Sequence, residues 1–191
     1  MSTFAGKIEE IPGISVDEFN NCANVKCFFL SHCHTDHMRG LWCLKTESSV
    51  YMTSISALFI RKKCPQLVDN VKILEIGIPT QIELTQDDET SVNFVVTAIS
   101  AGHCPGSCML LFQIENCDVL YTGDFRISLK NAKNIKLLKE IKDSSDDTVM
   151  YLDSTFLKPT FPDFPTQTES VNEIVKIVKI FLEKSMNHKG K

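Results

Sequence analysis

The chain has 191 residues, 43% of them hydrophobic, enough for one domain of ordinary size with a real core. Its formal net charge of −4 gives no global basic signature, so any hold on a polyphosphate must come from a local basic patch or a bound metal. The N-terminal residues lack a basic stretch followed by an apolar one, and no segment approaches the length of a membrane span. A secretory signal and a membrane partner are therefore not expected.

In chain order, Ile8 to Val16 reads as extended and is broken at Pro12-Gly13. Asp17 then has two readings. It caps a helix starting at Glu18-Phe19, which local sequence favours, or it carries a carboxylate to the end of a strand. Cys27 to Ser31 is an apolar run with large side chains and is predicted to be a central, buried strand. Directly after it stand His32, His34, Asp36 and His37. A strand that ends in a tight loop can point several of these side chains into one small volume. Imidazole nitrogen and carboxylate oxygen are ligands for a borderline cation such as zinc, and the pairs His32/His34 and Asp36/His37 suit two ions.

Further along, Val50 to Met52 is predicted as a strand and Ser54 to Lys63 as an amphipathic helix capped by Ser54. Val71 to Ile76 and Gln81 to Leu84 read as short strands, Asp87-Asp88-Glu89 as an acidic turn, and Val92 to Ile99 as a strong strand. The last is followed by Ala101-Gly102-His103-Cys104-Pro105-Gly106-Ser107. Cys108 to Ile114 and Asp118 to Tyr121 form a hairpin, which ends in Thr122-Gly123-Asp124 and delivers another carboxylate. Ala132 to Lys142 reads as a basic helix, and Val149 to Asp153 repeats the strand-then-acid pattern. Thr168 to Lys184 is predicted as a helix capped at Thr168 or Ser170, with an apolar face from Val171 to Leu182 wide enough to require burial. A polar tail spans residues 186–191, after a domain spanning 1–185.

Histidine usage sharpens the site. Of five histidines, three lie in the first cluster and His103 lies in the glycine-rich turn; His188 stands in the polar tail and is left unassigned. His32, His34, His103 and Asp124 all follow apolar strand-like runs, so they are expected to converge at the ends of separate strands. The eight cysteines show no C-x-x-C spacing, and three sit inside or beside the histidine motifs, which favours reduced thiols; Cys33, by alternation, is expected to pack rather than ligate. Gly106 and Ser107 offer backbone N–H groups to a phosphate, or form a simple turn. Arg126, Lys133, Lys136 and Lys139 are candidate contacts to a phosphate backbone.

Four motifs, Ser-His-Cys-His-Thr-Asp-His, Ala-Gly-His-Cys-Pro-Gly-Ser, Tyr-Thr-Gly-Asp-Phe-Arg and Tyr-Leu-Asp-Ser-Thr-Phe, together resemble the DNA-processing branch of the metallo-β-lactamase/β-CASP nucleases. The resemblance implies an α/β fold, a four-layer αββα sandwich present here as its N-terminal part. It implies that His32, His34 and His103 hold one metal, that Asp36 and His37 hold a second, and that Asp124 lies between them. Asp17, Asp36 and Asp153 are the acids it implicates in catalysis. It further implies one or two Zn2+ ions, with Mg2+ or Mn2+ as alternatives at the second site. Damaged or broken DNA is the implied substrate, with work in the nucleus in end joining and cross-link repair beside end-joining proteins. The family's inserted β-CASP domain and return segment have no counterpart in the sequence, which suggests a truncated form whose closing helix lacks a second sheet layer to cover it. The rival readings are an RNA-cleaving relative, a small-molecule hydrolase of the same superfamily, and a non-catalytic DNA-binding or regulatory fragment.

Overall fold

The computed structural model describes residues 4–20, 23–44, 47–85, 90–143, 147–157, 160 and 165–188. The acidic turn at 87–89 and the last three residues of the tail lie outside them. The chain divides into two compact units, Met1–Asp153 and Ser154–Lys191.

The first unit begins with β1 (Ile14–Val16), β2 (Cys27–Phe29), β3 (Ser49–Thr53), α1 (Ser54–Lys63) and β4 (Val71–Leu74). These four strands form a parallel sheet in the order β1-β2-β3-β4. Next come β5 (Thr80–Thr85), β6 (Ser91–Ser100), β7 (Cys108–Ile114), β8 (Cys117–Tyr121), α2 (Leu129–Ala132), α3 (Lys136–Asp143) and β9 (Asp147–Tyr151). Their strands make a second sheet, antiparallel from β5 to β8, with β9 parallel to β8.

Strand alternation separates three apolar layers. From β2, Cys27 and Phe29 turn toward the second sheet and share a core with Phe94, Val96, Leu110, Phe112 and Val119. Phe28 and Leu30 face the other way and pack with Val50, Met52, Ala57 and Ile60 under α1. On the far side of the second sheet, Met109, Leu111 and Leu120 meet Leu137, Leu138 and Ile141 of α3. The order is therefore helix, sheet, sheet, helix. The second sheet layer expected to be missing is present in this chain, built by residues 80–151. Phe29 is the centre of the inner layer, stacked on Tyr51 at 5.1 Å and edge-on to Phe112 at 5.0 Å. Burying an aromatic side chain of this kind stabilises by about 1.5–3 kcal/mol.

Three local expectations change. Asp17 caps no helix: it follows β1 directly, and residues 18–20 are not helical. The cap of α1 is Thr53, whose hydroxyl accepts from the Ser56 N–H, because the helix starts one residue before the position that would make Ser54 its cap. The predicted basic helix is two helices. Ser128 caps α2, which ends at Ala132; after a turn through Asn134, α3 restarts so that Leu137, Leu138 and Ile141 face the sheet.

In the second unit, α4 runs Gln167–His188, so the predicted polar tail is helical as far as His188. Its start is a capping box set by Thr166 rather than Thr168 or Ser170. Thr166 Oγ1 accepts from Glu169 N–H at 3.2 Å, and Glu169 Oε2 accepts from Thr166 N–H at 2.7 Å. Taken by itself this unit has no second regular element among the described residues, and Val171, Ile174, Ile177, Val178 and Phe181 stay exposed rather than buried. No described helix is long and apolar enough to cross a membrane.

Candidate metal centre

Strand direction sets the site. β1, β2 and β3 run parallel, and β6, β8 and β9 share one direction in the second sheet, so the loops leaving their C-terminal ends gather in two sets. Hydrogen bonds join them at one end. Cys108 N–H donates to Ser31 O at 3.0 Å, Thr53 Oγ1 to Gly106 O at 2.7 Å, and Arg126 N–H to Ala101 O at 2.7 Å. Gly102, with φ +65°, makes the last contact possible: a Cβ there would sit 2.7 Å from Arg126 O.

Four side chains from three of these loops converge. His34 Nδ1 lies 3.1 Å from His32 Nε2 and 3.1 Å from His103 Nε2. Asp124 Oδ2 lies 3.4 Å from His103 Nε2 and 3.8 Å from His32 Nε2. Ligands in a tetrahedron around Zn2+ at about 2.0–2.1 Å stand about 3.3–3.4 Å from one another. The observed spacings fall on both sides of that figure, and all four donor atoms lie within 4.8 Å of one another. The donor set and its dimensions therefore fit a divalent metal.

The other oxygen of Asp124, Oδ1, is 3.3 Å from His37 Nε2. One carboxylate thus faces His32 and His103 with one oxygen and His37 with the other, the disposition needed of a residue between two cations. Asp36 sits half-buried in the 3-10 turn Thr35–His37, and its charge contributes to raising the pKa of His37. It is not among the four donor atoms that converge.

Asp17 follows β1 with φ +57°, a left-handed conformation that Asp tolerates better than most residues. Its buried carboxylate accepts from Ser31 N–H at 2.7 Å through Oδ1. Through Oδ2 it accepts from Ser31 Oγ at 2.6 Å, Tyr121 OH at 2.9 Å and His37 Nδ1 at 2.8 Å. A carboxylate on Nδ1 turns the His37 Nε2 lone pair toward Asp124. Asp17, His32 and His37 form a second close group of donors, and Asp17 already accepts four hydrogen bonds.

Burial, then the charge of His37, lowers the pKa of His32 to about 3 against the opposing pull of Asp17. Its imidazole is neutral at neutral pH and keeps a lone pair for a metal. Burial works against protonating His37, but the Asp17 hydrogen bond and the charges of Asp17, Asp124 and Asp36 outweigh it and raise that pKa. The Tyr121 phenol is pushed up by burial and then by Asp17, which keeps it a donor.

The remaining sequence candidates have other positions. Ser107 accepts from the backbone N–H groups of His103 and Cys104 through Oγ, at 3.1 Å each, and donates its own N–H to Cys104 O at 3.0 Å. Its N–H is thereby committed to the turn that presents His103 and is not offered to a phosphate. Gly106 has φ +84° and its carbonyl accepts from Thr53 Oγ1 at 2.7 Å. Asp153 follows β9, and its N–H donates to Thr122 Oγ1 at 2.9 Å; it is not one of the grouped donors. Arg126 is exposed directly after Asp124 and Phe125. Cys33 packs against the layer under α1, as alternation predicts.

Two residues around Asp17 open quoted motifs without being given a role by them, Ser31 and Tyr121. The signal was available: each closes an apolar strand immediately before a cluster, at a position where a hydroxyl would be buried and need a partner.

Residues 23–179 match the family described as the metallo-beta-lactamase superfamily. The chain belongs to the metallo-β-lactamase superfamily. Within it, the protein called artemis from Homo sapiens is 36% identical over 98% of this chain and 29% of its own length. The chicken (Gallus gallus) artemis is 37% identical over 98% of this chain and 28% of its own length. The protein named 5′ exonuclease Apollo from Danio rerio is 33% identical over 91% of this chain and 30% of its own length. The chain spans less than a third of the length of these relatives. This metallo-β-lactamase chain therefore fits an Artemis-like group.

Proposed function

We propose that this chain carries the metal centre of a nuclease that hydrolyses phosphodiester bonds in DNA, acting on broken or damaged ends in the nucleus during end joining and cross-link repair. The observation that supports this most is the quartet His32, His34, His103 and Asp124, with donor spacings of 3.1–3.8 Å. The similarity to proteins named artemis and 5′ exonuclease Apollo supports a nucleic-acid substrate.

The quartet would hold one Zn2+ ion. Asp36 and His37 would hold a second cation, Zn2+, Mg2+ or Mn2+, with Asp124 shared. A cation held there would supply Lewis acidity, which lowers the pKa of water and offsets charge on phosphoryl oxygens. The chain's own residues do the rest. Asp17 fixes the orientation of His37, Ser107 holds the His103 turn, and Asp124 presents one oxygen to each side of the site. Asp153, tied to Thr122, keeps the end of β9 beside the loop that carries Asp124. Arg126, exposed two residues after Asp124, is the proposed contact to a phosphate of the DNA backbone. End-joining proteins are the proposed partners of the whole molecule.

The test is cleavage of 5′-labelled single-stranded DNA by the purified chain in excess, with Zn2+ or Mn2+, against the same protein in EDTA. Metal-dependent scission that Asp36→Ala abolishes while DNA binding persists is the expected result. Scission that survives EDTA, or that Asp36→Ala leaves unchanged at matched metal content, overturns the reading.

A further inference from the structure

Ser31 opens the first histidine motif but is not one of the converging donors, so the ligand geometry does not account for it. Its hydroxyl is fully buried and lies between two groups of opposite demand, Asp17 Oδ2 at 2.6 Å and His32 Nδ1 at 3.0 Å. A hydroxyl has one proton. The shorter contact, to a carboxylate, takes it, because O–H···O− bonds are short and strong. The oxygen then has only lone pairs left for His32, so the second contact is a hydrogen bond only when Nδ1 carries the imidazole proton. That tautomer leaves the Nε2 lone pair free, and Nε2 is the atom that meets His34 Nδ1 and Asp124.

We propose that Ser31 is a positioning residue of the metal centre, relaying Asp17 to His32 so that one buried carboxylate orients a histidine on each side of Asp124. Asp17 reaches His37 directly and His32 through Ser31. The relay is held rigid on several sides. Ser31 N–H donates to Asp17 Oδ1 at 2.7 Å, and Ser31 O accepts from Cys108 N–H at 3.0 Å. Gly123 closes over it: a Cβ at that position would lie 2.9 Å from Ser31 Oγ. Tyr121 OH occupies the same Asp17 oxygen at 2.9 Å without touching this path. Tyr121 therefore supplies an internal comparison, a second buried hydroxyl on one carboxylate that does not lead to His32.

The inference rests on the metal-centre reading above, and the experiment separates the two. Zn2+ alone is titrated calorimetrically into the 191-residue chain, its Ser31→Ala variant and its Tyr121→Phe variant. Imidazole 15N shifts of the metal-free wild type report the tautomer of His32. The expected results are an Nδ1–H tautomer in the wild type, a Zn2+ affinity about 10–100-fold weaker in Ser31→Ala, as for loss of an outer partner of a ligating histidine, and a smaller loss in Tyr121→Phe. A wild type that takes up no Zn2+ overturns the metal centre itself. A wild type that binds Zn2+ while Ser31→Ala binds it equally well, or while both variants lose affinity to the same extent, overturns the relay alone. An Nε2–H tautomer for His32 overturns it without any variant having to fold.

Discussion

The candidate centre has two halves built on different terms. On the inner side, Asp17, Ser31, His32, His37 and Tyr121 are all buried and linked by hydrogen bonds of 2.6–3.0 Å. On the outer side, His34 is exposed and His103 and Asp124 are partly open to solvent, and they meet the inner half through converging donor atoms and ring contacts with His32. The inner half is part of the sandwich's core and is determined by folding. The outer half has groups that solvent, a cation or a substrate phosphate can reach. The difference teaches how such a site can be preorganised and still accessible: orientation is fixed from below, and access is left above.

If that division is right, damage to the inner half should be read mainly in stability and damage to the outer half mainly in metal binding. Asp17→Ala removes the acceptor of four buried donors and is expected to have the largest effect. Breaking a buried charged network of this sort costs about 3–5 kcal/mol, or roughly 6–20 °C in Tm for a chain of this size. Thermal unfolding of the metal-free protein checks it; a change under about 2 °C would break the comparison.

Gly123→Ala comes second. Its φ of +49° and a Cβ that would lie 2.9 Å from Ser31 Oγ leave no place for a methyl group, so a loss of about 1–3 kcal/mol is expected from the melting curve. His103→Ala should do the reverse of Asp17→Ala. The metal-free protein should change by no more than about 0.5 kcal/mol, as for a surface substitution, whereas Zn2+ affinity should fall at least about 100-fold, beyond the loss of an outer partner. Melting curves with and without Zn2+ read both numbers.

The smallest effect sharpens the same contrast without a mutation. Burial pushes the Cys27 thiol up to about 12, and burial followed by the charge of Asp17 raises Cys108. Cys43 is exposed. At pH 8, iodoacetamide should modify Cys43 in the native protein and spare Cys27 and Cys108 until denaturant is added, as peptide mapping would show.

Much of this architecture is legible in the sequence, and the exceptions have physical causes. β2, β6 and the β7–β8 hairpin announce themselves through apolar runs bounded by turn residues, and the ligands are found because histidine is scarce and clustered. The role of Asp17 is not legible locally. Asp before Glu-Phe suits a helix cap, and only the position of Ser31, 14 residues away, and Tyr121, 104 residues away, shows the carboxylate to be enclosed. Ser107 misleads for a similar reason, since a Gly-Ser pair resembles a phosphate cradle until its N–H is found bonded to Cys104 O. The break between α2 and α3 depends on which face meets Leu111 and Leu120, which periodicity within one helix cannot supply. The apolar face of α4 gives the correct element, while a helical pattern reports only what a face could bury and says nothing of what lies opposite.

The central claim is that His32, His34, His103 and Asp124 form a metal site, and anomalous diffraction tests it most directly. Crystals of the chain grown with Zn2+ and measured on both sides of the zinc edge should show a peak about 2.0–2.2 Å from His32 Nε2, His34 Nδ1, His103 Nε2 and Asp124 Oδ2. A folded protein in which those four side chains keep their places and no anomalous peak lies among them would contradict it.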